Sequence, residues 1–426
     1  MDCCCCFKSD DTSQSTPQRT PQRRPETEPL LRPTVTAQPR PSKQHSQPTT
    51  VQPSQKPGAV KKPQNEVQQK VPKNVSVATT TNERYALAAP SSKDHDNEDE
   101  YLVDESSDSS SVFLCVLDGH DGRNAVEFVK EYLWDNHLNI LQSENPEDIM
   151  QRCIRDADAD YFKNLDPVFA EKLTIQIKIP KGMKSYEAQI TFPTEVARLQ
   201  QLESQISGGC TAVIAVIKQG VIHVANVGDS RAILVFETSD GALQMSQLTE
   251  DHDVHNEEEL KRLSQLGLDP RELKVSGRLG TQENTRSIGD YSIKGGFRDV
   301  DVISHATSEP GIAEPHATSE EIDGKTFKYL ILMSDGVYKT MKSLQAAVGH
   351  DGEVGNENDM VAHLVDNYVK ESGIQKAASN VLKQIRQNQY DLYQNSAQKD
   401  THSPAAVANR KRDDMTLVVY QFNTAH

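Results

Sequence analysis

Four short apolar runs in this chain each meet an acidic residue at one end. The run 112–117 leads into Asp118-Gly119-His120-Asp121-Gly122, and Val221–Val227 into Gly228-Asp229-Ser230-Arg231. The run 329–333 leads into Ser334-Asp335-Gly336, and the fourth is reversed, with Arg412-Asp413-Asp414-Met415 entering 416–420. Carboxylates at the ends of neighbouring strands can converge on one point, where they repel each other unless a cation neutralises them. A set of hard oxygen ligands selects Mg²⁺ or Mn²⁺ over softer metals. Asp-Gly is also ordinary turn chemistry. The sequence holds its own controls: Asp240-Gly241, Asp323-Gly324 and Asp351-Gly352 follow no buried run and read as turns or loops. The strand-end context, repeated four times, is what separates the first group from these.

The elements that would carry these acids are legible from periodicity. Short apolar runs bounded by turn residues predict buried strands at 112–117, 211–217, Val221–Val227, 232–236, 329–333 and 417–420. Lys218-Gln219-Gly220 between the second and third predicts a hairpin. Helical spacing covers 124–142, 149–162, 196–206 and 256–266, with Gly267 as a stop, and 359–387 supplies two long helices. The stretch 173–193 reads as an irregular surface insertion. Hairpin strands with helices before and after them predict an α+β fold of stacked antiparallel sheets covered by helices.

These residues resemble a known family. DGHDG, SGGCTAVIAV, VANVGDSRAILV, LTEDHD with Glu259-x-x-Arg262, TRSIGDY, SEPGI, LILMSDGVY and RDDMT occur in the order seen in the metal-dependent type 2C protein phosphatases, over about 83–423. Within that family, the stretches 203–216, 255–269 and 283–291 look most like phosphatase-like adaptors that bind a TGF-β-activated kinase. The resemblance implies a four-layer α/β/β/α sandwich and two Mg²⁺ or Mn²⁺ ions, with a weaker third. It implies that Asp118 bridges the two ions, that the Gly119 carbonyl binds one of them and that Asp335 and Asp413 bind the other. Asp229 would serve the third site, but Lys339 stands where many relatives place a further acidic ligand. His120 would protonate the departing serine or threonine alkoxide. The family also carries an Arg for substrate phosphate ahead of a Glu-Asp pair near the metals. Glu98-Asp99 is the candidate pair, the alternative being that 94–108 is merely an acidic loop; no Arg stands four residues before Glu98, and Arg84 is the candidate substitute. His223, His252 and His255 read as structural residues with satisfied rings.

Two functions from different classes follow. One is a metal-dependent serine/threonine phosphatase acting on phosphoproteins, motivated by acids that the adaptor branch has lost and this chain keeps. The other is a weakly active or inactive adaptor that regulates the kinase. The adaptor branch carries its kinase-binding segment beyond the globular domain, whereas His426 follows the last expected strand directly, which favours the phosphatase.

Composition sets further bounds. A formal net charge of -16 argues against nucleic acid as a partner, because phosphate binding needs clustered Lys and Arg. There is no apolar run of about 20 residues to span a bilayer and no secretory leader, which predicts a cytoplasmic protein. Residues 8–81 form a basic Pro/Gln/Thr-rich arm without the apolar content to offset ordering entropy, and 82–426 form the phosphatase-like domain. At 1–7 the tip MDCCCCF offers Cys3, Cys4, Cys5 and Cys6 for S-acylation, with the basic arm as a second membrane signal. Asp2, in place of the required glycine, excludes N-myristoylation. Cys115, Cys153 and Cys210 lie in apolar surroundings and read as buried, unpaired core residues.

Overall fold

The computed structural model describes residues 85–88, 97–106, 110–322, 326–348, 355–397 and 413–422. The chain divides into 1–67 and 68–426, and all described residues lie in the second unit.

Two antiparallel sheets form its centre. The first contains β1 (Tyr85–Ala88), β6 (Arg231–Glu237), β7 (Leu243–Gln247), β10 (Thr326–Met333) and β11 (Leu417–Gln421), in the order β1-β11-β10-β6-β7. The second contains β2 (Glu100–Glu105), β3 (Ser111–His120), β4 (Gly209–Lys218), β5 (Val221–Val227) and β9 (His316–Glu321), in the order β2-β3-β4-β5-β9, with the short β8 (Ile288–Gly289) on β4.

The continuous apolar runs have a physical reason: these strands are buried on both faces. Along β3, Val112, Leu114 and Val116 face the other sheet, while Phe113, Cys115 and Leu117 face helices. Along β10, Leu330 and Leu332 pack between the sheets, and Tyr329, Ile331 and Met333 pack outward. The period-2 alternation thus separates two cores instead of core and solvent. Each fully buried Leu or Ile contributes about 1.5–3 kcal/mol.

Helices α1 (Asn124–Gln142) and α2 (Pro146–Gln176) cover the second sheet through Val126, Val129, Leu133, Met150 and Ile154. Helices α7 (Asp335–Val348), α8 (Glu357–Ser372) and α9 (Ile374–Ala397) cover the first through Val337, Val361, Val365, Val381 and Ile385. The result is the expected four-layer sandwich. Cys115, Cys153 and Cys210 are buried and unpaired, as read from the sequence.

The stretch 173–193 departs from expectation. It is mostly helical: α2 continues through Pro167 to Gln176, α3 spans Ser185–Thr191, and α4 spans Pro193–Ile206. Ion pairs Lys172–Glu203 (2.8 Å) and Arg198–Glu171 (2.7 Å) fasten α2 to α4, so contacts between helices override the weak local pattern. Two further short helices, α5 (Glu257–Gln265) and α6 (Pro270–Ser276), pack Leu260, Leu263 and Leu273 into a satellite core. Gly267, at φ 91°, follows α5 as expected.

Candidate metal centre

β3 delivers the first acid. It extends past the apolar run so that Asp118, Gly119 and His120 are its last three residues, paired with Thr211, Cys210 and Gly209 of β4. Gly119 has no room for a side chain, because a Cβ there would stand 2.5 Å from the Glu98 carbonyl oxygen. The segment before β2 therefore lies directly against the end of β3.

Asp335 opens α7 immediately after β10. Its backbone N–H points at Asp118 Oδ2 (3.4 Å), so the positive end of a helix faces that carboxylate. The neighbouring Gly336 explains itself by close approach: a Cβ there would fall 1.9 Å from the Asp414 carbonyl oxygen. That approach clamps Asp413-Asp414, which leads into β11, onto the start of α7. Ser334 completes the clamp. Its hydroxyl donates to Asp99 Oδ2 (2.7 Å) and accepts from Thr416 N–H (2.8 Å).

Acids far apart in the chain thus meet at one edge of the sandwich, where burial and like charge act on their carboxyl groups. Asp118 is raised well above the carboxylate range, by lost hydration first and then by Asp335, Asp99, Asp413 and Asp229. Asp99 is raised by burial and by Asp414 and Asp335. Asp335 is raised by burial and by Asp229. Asp413, at the solvent-exposed rim, is pushed up to about 7 by desolvation and then by Asp335.

The residues present fit a hard divalent cation. Asp99 Oδ1 is buried without a hydrogen-bond partner, and a cation would relieve both this oxygen and the like-charge repulsion. The acids are neighbours and not a closed cage: among the described residues no three His, Cys, Asp or Glu already surround one point.

Asp229, after β5, behaves differently. Its Oδ2 accepts from Tyr338 OH (3.3 Å) and pairs with Lys339 Nζ (2.9 Å). Burial would raise its pKa, but Lys339 outweighs this and holds it below the ordinary value. Lys339 also reaches Asp335 Oδ2 (2.5 Å) and Glu283 Oε2 (3.2 Å).

His120 lies beside the acids. Its Nε2 bonds Asp290 Oδ1 at 2.8 Å, across 170 residues of sequence. Burial alone would lower the imidazole pKa, yet Asp290 lifts it to about 9, so the ring carries a proton at neutral pH. Asp290 is itself held by Ser287 Oγ and sits at φ 58°.

Of the Glu98-Asp99 pair, Asp99 joins the acids. Glu98 turns partly aside, its Oε1 accepting from Gly122 N–H (3.0 Å) and its N–H donating to Asp414 Oδ2 (2.8 Å). Arg84 and Cys3, Cys4, Cys5 and Cys6 lie outside the described residues. The reading of the three other histidines needs one correction. His223 bonds Glu147 (3.1 Å) and His255 is exposed, but His252 lies in a loop with Nε2 buried and unpartnered. Its Nδ1 stands 3.2 Å from Gly228 N and 3.1 Å from Gly228 O, so it fixes the backbone just before Asp229. Burial lowers its pKa to about 3, so the ring stays neutral and tolerates the missing partner. Sequence reasoning missed Asp290 and Glu283, whose roles depend on contacts distant in the chain. It also missed Asp414, whose one signal was its place beside Asp413.

Comparison with known proteins identifies a family. The protein phosphatase 2C family model matches residues 84–349, more than half of the chain. "Probable protein phosphatase 2C 40" of Arabidopsis thaliana is 24% identical over 75% of this chain and 64% of its own length. "Probable protein phosphatase 2C 3" of Paramecium tetraurelia is 25% identical over 65% of this chain and 76% of its own. The chain thus spans just under two thirds of the first relative. Among solved structures, the serine-threonine phosphatase 2C of Toxoplasma gondii aligns with a TM-score of 0.48 and 18% identity, over 82% of this chain and 98% of that one. The family is generally metal-dependent, in keeping with a cluster of acids that a cation would relieve. With eleven strands among the described residues, flanking helices and acids gathered at one edge of the sheets, the chain belongs to the protein phosphatase 2C family of serine/threonine phosphatases.

Proposed function

We propose that this chain is a Mg²⁺- or Mn²⁺-dependent phosphatase that hydrolyses phosphoserine and phosphothreonine in proteins of kinase signalling. The observation that carries this reading is the convergence of acids from four separate segments: the Asp335 N–H points at Asp118 Oδ2 (3.4 Å), Gly336 abuts the Asp414 carbonyl beside Asp413, and Ser334 holds Asp99 (2.7 Å). Asp118, Asp335 and Asp413, with the Gly119 carbonyl and Asp99 beside them, are the residues that would hold the ions. Bound divalent cations would supply an activated water and offset charge on the phosphoryl oxygens.

The chain's own groups do the rest. Asp290 holds His120 as an imidazolium through Nε2. The other nitrogen, Nδ1, forms no hydrogen bond among the described residues and is the proton donor for the departing alkoxide. The His120 side chain is 26% exposed, which lets a substrate reach it. Arg84 is the proposed phosphate-binding residue, and acylation of Cys3, Cys4, Cys5 and Cys6 would bring a cytoplasmic phosphatase to a membrane.

One observation favours the second reading, a weakly active adaptor for a TGF-β-activated kinase: a lysine ammonium reaches into the acid cluster and pairs with Asp229 and Asp335. A single assay separates the two. Mn²⁺-dependent release of phosphate from a phosphothreonine peptide is expected from the chain and lost in Asp335→Asn. Equal rates for both proteins would defeat the enzyme reading, and kinase capture without turnover would favour the adaptor.

A further inference from the structure

Lys339 is placed unlike a surface lysine. Its ammonium meets three carboxylates from three segments: Asp229 after β5 (2.9 Å), Asp335 at the start of α7 (2.5 Å) and Glu283 in the loop before β8 (3.2 Å). An ammonium has three donors, and here each has an anionic acceptor. Two of those acceptors are withdrawn from water, the side chains of Asp229 and Asp335 being 2% and 13% exposed. Asp335 and Lys339 are four residues apart on α7, so one turn of helix carries both an acid and its counter-cation.

We propose that the Lys339 ammonium is a tethered cation that keeps a divalent ion off the Asp229 side of the site, so that the chain takes up one ion fewer than its carboxylates would otherwise hold. The inference rests on the metal-site reading above and specifies which part of that site is closed. Asp229 Oδ1 supplies a second, independent sign. It is buried with no hydrogen-bond partner, whereas Oδ2 of the same carboxylate is taken by Lys339 and Tyr338. Lysine satisfies one oxygen of a carboxylate that a divalent ion could engage through both. The Lys339 side chain is 37% exposed, so its removal opens the position to ions from solvent.

The test counts ions. Native mass spectrometry and calorimetric titration with Mn²⁺ are carried out on the full chain, on Lys339→Asp and on Lys339→Met. Lys339→Asp is expected to bind one more equivalent than the unaltered chain. Lys339→Met is expected to melt lower in chelator, because Asp229 loses its counter-charge, and to gain more in melting temperature from Mn²⁺ than the unaltered chain does. The melting comparison stands by itself should the aspartate variant not fold. Equal ion counts of at least one in all three proteins, with equal Mn²⁺ gains, would overturn the role of Lys339 and leave the metal-site reading standing. No ion in the unaltered chain but one in Lys339→Asp would support the role of Lys339 and remove the metal-site reading for the natural sequence. No ion in any of them would overturn both.

Discussion

Glu259 offers a stability prediction whose size can be worked from the structure. Its carboxylate is 1% exposed and is held by Arg286 through Oε1 (2.5 Å), by Arg262 through Oε2 (2.8 Å) and by the Thr285 hydroxyl (2.6 Å). Burial would raise its pKa, but the two guanidiniums and the hydroxyl outweigh this and bring it from the ordinary 4.5 to about 2. A depressed carboxylate stabilises the fold at pH above its unfolded value, and that contribution fades as pH falls through 4.5 toward the folded value. The shift corresponds to about 3 kcal/mol at neutral pH and about 1 kcal/mol at pH 3. Glu259→Gln keeps the shape but leaves two guanidiniums facing a neutral amide. Urea denaturation in chelator should therefore show a loss of about 3 kcal/mol at pH 7 that shrinks to about 1 kcal/mol at pH 3. The segment at stake, 285–290, carries Asp290, so the damage should reach the His120 pair as well. A loss that does not change with pH, or one below about 1 kcal/mol at pH 7, would refute the assignment of this carboxylate as the ionic anchor of the loop.

Three further outcomes are expected. Asp290→Asn should lower the His120 pKa from about 9, since burial is then opposed only by the weaker attraction of Asp121 and Asp229; imidazole NMR in chelator reads this directly, and an unchanged titration would contradict the pairing. The ion pair's stabilisation is present below pH 6.5 and lost as pH rises through 9, so this variant should erase that alkaline loss. Asp118→Asn should stabilise the metal-free protein while abolishing its thermal gain from Mn²⁺. The raised Asp118 carboxyl makes the folded state take up protons first, so metal-free stability should increase as pH falls from 7 toward 4 and Asn should flatten that slope. Gly336→Ala should cost at least about 2 kcal/mol by denaturant melting, because its Cβ would collide with the Asp414 carbonyl and push Asp413 from the cluster.

Much of this was legible in the sequence, for identifiable reasons. The strands β3, β4, β5, β10 and β11 were found because burial on both faces makes each a continuous apolar run. β2 and β9 escaped because Glu100, Asp104 and Glu105, and Glu320 and Glu321, give edge strands a polar composition. Edge strands need no second apolar face and favour such charge. The acids Asp118, Asp335 and Asp413 announced themselves by their place at strand ends. The direction in which Glu98 turns was not legible, since it depends on a hydrogen bond from Gly122. Lys339 was visible as a departure from the family pattern, but its grip on three carboxylates appears only once β5, α7 and the loop holding Glu283 are brought together.

Crystals grown in Mn²⁺ and measured at the manganese absorption edge put the carboxylate centre to the most direct test. Anomalous peaks are predicted within coordination distance of Asp118, Asp335 and Asp413, with none beside Asp229. Manganese found only on outer surface acids, or no peak near Asp118 at saturating metal, would contradict the account.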